Sequence, residues 1–337
     1  MTNKLTEDYW TPIIKTLEDT FKVFQVKFIQ YSRNAVFQAF YNNAPVILRL
    51  KAYSETVKSQ ILAELEWIEF LSHEGLPVCT AIKVNNEILH EIDFNNEKYC
   101  CVVFKKAKGR NIIPTDFGAK YFTAIGALAG KMHSITNHFS ATGLKRKKWH
   151  ESSFLTHELS EFLPEGNERI REITIKLISE LKDIPRNMDN YGLIHADMYH
   201  NNLFINENDL SLFDFDNCEY GYFANDISTT FHDSSFTYMR KKIKGDLGRA
   251  CFYGSELKDF QKMLGESFFD GYTKFHSLSN QDIAYLKSFY KLREIVVYVH
   301  HNTIWNESKA AEPLRTYLEQ DRIQIENGGW EYYLLQD

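Results

Sequence analysis

One stretch constrains this chain more than any other: residues 192–216, GLIHADMYHNNLFINENDLSLFDFD. Gly192, Leu193 and Ile194 form an apolar approach, and His195-Ala196-Asp197 follows at once. After Met198 to Asn202 comes the apolar run Leu203-Phe204-Ile205. Asn206 to Asp209 is a polar turn cluster, and Leu210 to Phe213 returns as a short strand ending on Asp214-Phe215-Asp216. Strand, loop, strand, turn and strand therefore follow without a break. Asp197 and Asn202 lie five residues apart on the loop, and Asp214 ends the facing strand.

That spacing has a chemical use. Phosphoryl transfer from ATP needs a carboxylate to orient the attacking hydroxyl and take its proton, and hard oxygen ligands to hold Mg²⁺ against the phosphates. H-x-D-x-x-x-x-N followed by a strand-borne Asp supplies all three: Asp197 as base, Asn202 and Asp214 as metal ligands. It matches the catalytic loop of kinases with Ala196 in place of Arg. The alternative is a polar turn that contains His, Asp and Asn because turns favour them. The joint spacing, the strands on both sides and the second carboxylate site favour the chemistry.

HADMYHNNLFI, LSLFDFDNCEYG and ANDIS resemble the aminoglycoside phosphotransferase and choline kinase-like enzymes. The resemblance is sharpest over residues 191–230 and extends more weakly from about residue 32 to about residue 305. It implies an α+β, two-lobed protein kinase-like fold: a small β-sheet plus helix in the N-terminal lobe and a larger, mainly helical C-terminal lobe. It further implies ATP and Mg²⁺ as cofactors, ATP between the lobes, and a small-molecule hydroxyl as acceptor.

Size and composition agree with a soluble globular protein. The chain has 337 residues, 44% of them apolar and 25% charged, enough for one large or two medium domains with their own cores. A net charge of −6 without a long basic block argues against nucleic acid as a partner. Five cysteines (Cys79, Cys100, Cys101, Cys218 and Cys251) lack metal-ligand spacing and suit buried thiols in a reducing compartment. No apolar leader or run of membrane-spanning length appears, so the expected location is cytoplasmic, with no membrane partner, as a monomer or homodimer.

Along the chain, Leu5, Tyr9, Ile13, Ile14 and Leu17 predict a helix over residues 5–19. Residues 21–31 and 35–41 read as paired strands around Ser32-Arg33-Asn34. In the family this turn covers the ATP phosphates. Here it lacks a G-x-G-x-x-G pattern, so Ser32 and Asn34 would provide the close approach, and an ordinary hairpin turn is an equal account. The strand at 46–50 delivers Arg49 and, two residues on, Lys51 on the same face. Arg49 sits inside the apolar run, where an unpaired charge is costly, and is the preferred phosphate-gripping cation. The amphipathic helix over 57–72 offers Glu64 and Glu66, and Glu64 matches the family's helix glutamate. Three strands follow at 80–84, 87–92 and 98–104. Apolar character stops after Phe104, which sets a boundary: residues 1–104 form the nucleotide-binding lobe, residues 105–337 the catalytic and acceptor-binding lobe. In kinases this hinge presents its backbone to adenine, which by position involves Phe104 to Lys106.

Residues 117–136 and 168–182 are predicted helices, with Gly126 and Gly130 spaced for close packing and His133 as a satisfied core histidine. Asp226 matches the family's structural aspartate that ties the catalytic loop to the next helix, or is a simple N-cap. Asp216 either backs up the metal site or caps a turn. On a last long helix, residues 282–305, Glu294, Tyr298, His301 and Trp305 share one face. A carboxylate among aromatic rings suits a cationic acceptor, and the competing reading of the stripe is core packing. Three functions are carried forward: a small-molecule kinase acting on an aminoglycoside, choline, homoserine, methylthioribose or a similar hydroxyl; a pseudokinase-like binding module, disfavoured because base and metal ligands are all present; and a protein Ser/Thr kinase. The last needs a peptide platform ending in A-P-E. Only twelve positions separate Asp214 from Asp226, and no A-P-E follows.

Overall fold

The computed structural model describes residues 6–143, 146–152, 155, 159–163, 165–242, 255–305, 314–328 and 332–334. The chain divides into two compact units. The first comprises Met1–Gly109, Phe139–Arg146 and Ile205–Asp216; the second comprises Arg110–His138, Lys147–Phe204 and Asn217–Asp337. A boundary read from composition falls after Phe104. The first change of unit comes at Gly109, and two later segments return to unit 1.

Unit 1 opens with two short helices, α1 (Glu7–Trp10) and α2 (Ile13–Phe21). The single helix expected over 5–19 is interrupted because Pro12 has no N–H to continue α1; instead it starts α2. Leu5 lies outside the described residues. The sheet follows: β1 (Phe24–Tyr31), β2 (Ala35–Tyr41), β3 (Ala44–Ala52), then helix α3 (Glu55–His73), β4 (His90–Phe94) and β5 (Glu97–Lys105). The strands pair antiparallel in the order β1-β2-β3-β5-β4. Three tight reversals use adjacent asparagines: Asn42-Asn43 between β2 and β3, Asn85-Asn86 between Val84 and Glu87, and Asn95-Asn96 between β4 and β5. All six have positive φ, from 49° to 66°. A two-residue type I′ turn requires that left-handed pair, and Asn tolerates it better than other side chains with a Cβ.

The strand expected at 80–84 does not form as a regular element. β4 takes the edge of β5 over residues 97–101, and Ile82 and Thr80 reach only its far half, bonding to Val103 and Lys105. The core between sheet and lead-in helices is aromatic: Trp10, with Phe28, Tyr31, Phe37, Phe94 and Tyr99 around it. Ser54 caps α3 by accepting from the Val57 N–H, and Gly75, at φ 74°, ends it. Leu212 bonds to Pro77 and Cys79, and Phe139 packs on Phe70; these contacts bring the two returning segments into this unit.

Unit 2 is mainly helical. It contains the two-residue strand β6 (Arg110–Asn111), α4 (Ala119–Thr136), α5 (Leu159–Phe162), α6 (Glu168–Lys182) and β7 (Tyr191–Ile194). The chain then runs through β8 (Leu203–Asn206) and β9 (Asp209–Leu212), which carry it into unit 1 and back. It resumes with β10 (Glu219–Tyr222), α7 (Phe223–Lys242), α8 (Ser255–Tyr272), α9 (Asn280–Trp305) and α10 (Leu314–Glu326). β10 pairs antiparallel with β7. Gly126 and Gly130 let α4 lie against α8: a Cβ there would fall 1.9 Å from the Phe268 carbonyl oxygen and 2.4 Å from that of Tyr272. Among the described residues no helix is long and apolar enough to cross a membrane. Cys79, Cys100, Cys101 and Cys218 are buried; Cys251 and Trp330 lie outside the described residues.

Candidate active site

In unit 2 the loop after β7 is fastened from beneath. The Asp226 carboxylate, fully buried at the start of α7, accepts the backbone N–H of His195 at 2.9 Å and of Ala196 at 2.6 Å. His133 Nε2 lies 3.3 Å from the same carboxylate, and His133 Nδ1 lies 2.9 Å from the Tyr272 hydroxyl. A carboxylate only accepts, so Nε2 carries the proton and Nδ1 accepts from Tyr272. Burial pushes the His133 pKa below its usual value, which keeps the ring neutral. Ala196 has φ 63°, a conformation L-residues with a Cβ avoid, and the two Asp226 bonds hold it there.

Asp197 stands next on that loop. Its Oδ2 accepts from Asn202 Nδ2 (3.2 Å) and Asn217 Nδ2 (3.4 Å), and Asn202 Nδ2 also donates to the Asp197 carbonyl at 2.8 Å. Its Oδ1 accepts from Arg293 Nη2 at 2.8 Å. Arg293, on α9, also donates through Nε (3.1 Å) and Nη2 (2.7 Å) to Asp233 Oδ2 on α7. Burial opposes the Arg293 charge, but Asp233 and Asp197 outweigh it and hold the guanidinium pKa above its usual value. Burial likewise works against the Asp233 charge; Arg293 and His232 overcome it and hold the carboxyl down at about 2.

Arg293 and Asp233 face a cavity of about 660 Å³, walled by Tyr199 and His200 from the loop, Phe236 from α7 and His301 from α9. His200 is 9% exposed, and its Nδ1 is buried with no bond among the described residues. The α9 wall is made by Arg293, Val297, His300 and His301. Of the three expected residues whose side chains are described, only His301 takes part. Glu294 is buried outside that wall, and the Tyr298 hydroxyl donates to Asn167 Oδ1 at 2.8 Å. The side chain of Trp305 lies outside the described residues. Arg293, Asp233 and Asn217 were missed by sequence reasoning. The cavity face of α9 is turned by one residue from the aromatic stripe, and a charge adjacent to that stripe was the available signal.

In unit 1, Arg49 and Glu64 form a two-bond fork, Nη1 to Oε1 at 2.8 Å and Nη2 to Oε2 at 2.7 Å, both side chains buried. The guanidinium lies 5.0 Å over the Phe104 ring. Burial opposes its charge, and Glu64, Asp216 and Asp214 keep its pKa raised. Lys51 does not join this pair; its Nζ donates to both oxygens of Asp216, at 2.6 and 2.7 Å. Asn34 Nδ2 reaches Asp216 Oδ2 at 3.2 Å, while Ser32, in the same turn, is exposed. Although burial disfavours the Asp216 anion, Arg49, Lys51 and Asn34 hold its pKa well below the usual carboxylate range. Asp214 has φ 62°, a half-exposed side chain, and an oxygen 3.8 Å from Arg49 Nη1. The Lys106 N–H is taken by the Pro45 carbonyl and its Nζ by Gln38, so its backbone donor is not spare.

Residues 28–250, more than half of the chain, match the model of the phosphotransferase enzyme family. An amicoumacin kinase of Bacillus subtilis (strain 168) is 27% identical over 308 residues, covering 90% of this chain and 88% of that protein. Among solved structures, an amicoumacin kinase in complex with AMP-PNP, Ca²⁺ and Ami superposes with a TM-score of 0.83 at 24% identity, covering 94% of this chain and 93% of that one. A microcompartment-associated aminopropanol kinase gives a TM-score of 0.73 at 19% identity, over 94% and 97%.

Proposed function

The chain belongs to the phosphotransferase enzyme family, and on that premise we propose that it is a kinase moving the γ-phosphate of ATP onto a hydroxyl of a bulky small molecule. The observation that carries this reading is the Asp197 carboxylate, held by Asn202, Asn217 and Arg293, with Arg293 forming part of the cavity wall. An acceptor hydroxyl donates to Asp197. Its oxygen bonds to the γ-phosphorus, the bond from that phosphorus to the β,γ-bridging oxygen breaks, the proton passes to Asp197, and ADP leaves.

Other residues take roles from the family motif. Arg49, oriented by Glu64, grips the phosphates, and Ser32 and Asn34 belong to the turn that covers them. Phe104 and Lys106 belong to the segment beside the base. Each of the two metal-ligand candidates offers the oxygen a hard divalent cation takes. In unit 2, Asn202 uses its Nδ2 on Asp197, which turns its Oδ1 away as an oxygen ligand; in unit 1, Asp214 keeps a half-exposed carboxylate. Mg²⁺ bound by such oxygens would neutralise phosphate charge.

Size bears on the class of acceptor. A cavity of about 660 Å³ suits a drug-sized molecule and is roomy for a three-carbon amino alcohol. Charge is a weaker guide, because Asp233, the carboxylate of the wall, is already paired with Arg293. The cationic acceptor expected from Glu294 therefore loses its carboxylate. The test is ADP release with Mg-ATP against amicoumacin-type antibiotics, aminoglycosides, choline, homoserine and aminopropanol. Turnover with a bulky natural product, lost in Asp197→Asn, is the expected result. Turnover confined to aminopropanol or choline would overturn the size argument.

A further inference from the structure

We propose that Arg293 is a positioning residue for Asp197, anchored in turn by Asp233; this rests on Asp197 being the base. A single nitrogen, Nη2, lies 2.8 Å from Asp197 Oδ1 and 2.7 Å from Asp233 Oδ2. With the Nε bond to Asp233 at 3.1 Å, three bonds fix the plane of a rigid guanidinium. The other contacts to the Asp197 carboxylate are longer, at 3.2 and 3.4 Å, and come from neutral amides. The charge-assisted bond therefore dominates its orientation.

The support also differs in kind. Asn202 and Asn217 belong to the short segments around the loop, whereas Arg293 and Asp233 stand on long helices that pack against each other. The carboxylate is thus braced against the helical body as well as its own loop.

A buried pair serving only the fold would be closed on itself, and this one is not. Arg293 keeps 16% of its side chain exposed and lines the cavity. Its Nη1 has no bond among the described residues and is not among the buried unpartnered atoms. One side of the guanidinium is therefore committed to two carboxylates, while the other opens towards the acceptor. Arg293 sets the direction in which the base presents its lone pair.

The experiment uses the full chain and Mg-ATP without an acceptor, with water replacing the hydroxyl, followed as ADP release. It is repeated with whichever acceptor the panel identifies. Arg293→Met is expected to lower kcat roughly ten- to hundredfold, the scale of misplacing a catalytic group by about 1 Å, while KM for ATP changes less than about twofold. Arg293→Lys, which keeps one cationic nitrogen, is expected to restore part of the loss. Asp233→Asn should slow the wild-type enzyme but add nothing in an Arg293→Met background, the non-additivity of residues acting through one another. Arg293→Gln carries the same expectation should the Met variant not fold. A crystal structure of the Met or Gln variant reads the geometry directly and needs no turnover: the Asp197 carboxylate should be rotated or split between conformers. An unmoved Asp197, an unchanged kcat, or additive losses for Arg293 and Asp233 would each overturn the proposal while leaving Asp197 as base. An Asp197→Asn enzyme with unchanged turnover overturns the base reading itself, and the proposal with it.

Discussion

Arg49 and Glu64 meet in a buried two-bond fork, 2.8 and 2.7 Å, that joins the third strand of the sheet to its one long helix. Removing one partner leaves the other charge buried without its counter-ion, which typically costs about 3–5 kcal/mol. Glu64→Ala is therefore expected to lower the urea midpoint of unfolding by a corresponding amount. Pairing Arg49→Met with Glu64→Leu should recover most of that stability, since matched apolar replacement removes both charges together. ATP binding should stay weak in the double variant, measured by calorimetry with Mg-ATP. Wild-type affinity there would remove Arg49 from nucleotide binding.

A second prediction concerns the floor of the catalytic loop. Asp226→Asn keeps the size of the side chain but turns one accepting oxygen into an NH₂ that faces a backbone N–H. Leaving such a donor unsatisfied costs about 1–3 kcal/mol. With the clamp weakened, Ala196 has less reason to keep φ at 63°. Amide exchange at His195 and Ala196 should accelerate and kcat should fall while ATP affinity holds. Unchanged exchange at both amides would show that the loop does not depend on this carboxylate.

Gly126→Ala is expected to be among the most damaging single-methyl additions in unit 2. Its Cβ would fall 1.9 Å from the Phe268 carbonyl oxygen, which is backbone and cannot step aside without moving α8. Overpacking of this kind costs about 1–3 kcal/mol. The check is a thermal melt against Gly118→Ala, where nothing lies within 4 Å of the new methyl. Equal melting temperatures for the two variants would mean that α8 shifts freely.

How much of this was legible in the sequence depended on whether the cause was local. The α+β architecture, the long helices and the H-x-D-x-x-x-x-N loop follow from apolar periodicity and short-range spacing, and the structure has them. Other features depend on partners far along the chain. Periodicity marks α9 as buried but does not say which of several faces meets a cavity. The stripe Glu294–Tyr298 looked like a pocket wall, yet Tyr298 is turned to Asn167, far back in sequence. Asp233 sits in a helix rich in Ser, Thr and His, and only its contact with Arg293, sixty residues on, gives it meaning. Asp216 was ambiguous for the same reason: Lys51 and Asn34 lie more than 160 residues before it. Three of the four asparagine pairs carry a local turn signal, while Asn201-Asn202 belongs to the catalytic loop. Three Asn-Asn steps separate strand partners, and Asn is a side chain that accepts the left-handed conformation such turns need.

The last prediction is a pH dependence with a fixed sign. Asp321, on α10, is 5% exposed, and burial pushes its carboxyl from 3.8 up to about 7, the neighbouring Tyr317 opposing only part of the shift. In the unfolded chain the group loses its proton near pH 4; in the folded state it keeps it until about pH 7. Between these values the folded state binds more protons than the unfolded one, so stability falls as pH rises, by at most roughly 1.4 kcal/mol per pH unit, and levels off above 7. Asp321→Asn matches the neutral acid in shape and carries no charge at any pH. It is therefore expected to melt close to the wild type at pH 4 and well above it at pH 8, the gap opening between pH 5 and 7. A gap of the same size at both ends of that range would show that the carboxyl does not titrate on unfolding, and would locate any stabilisation in the amide's own hydrogen bonds.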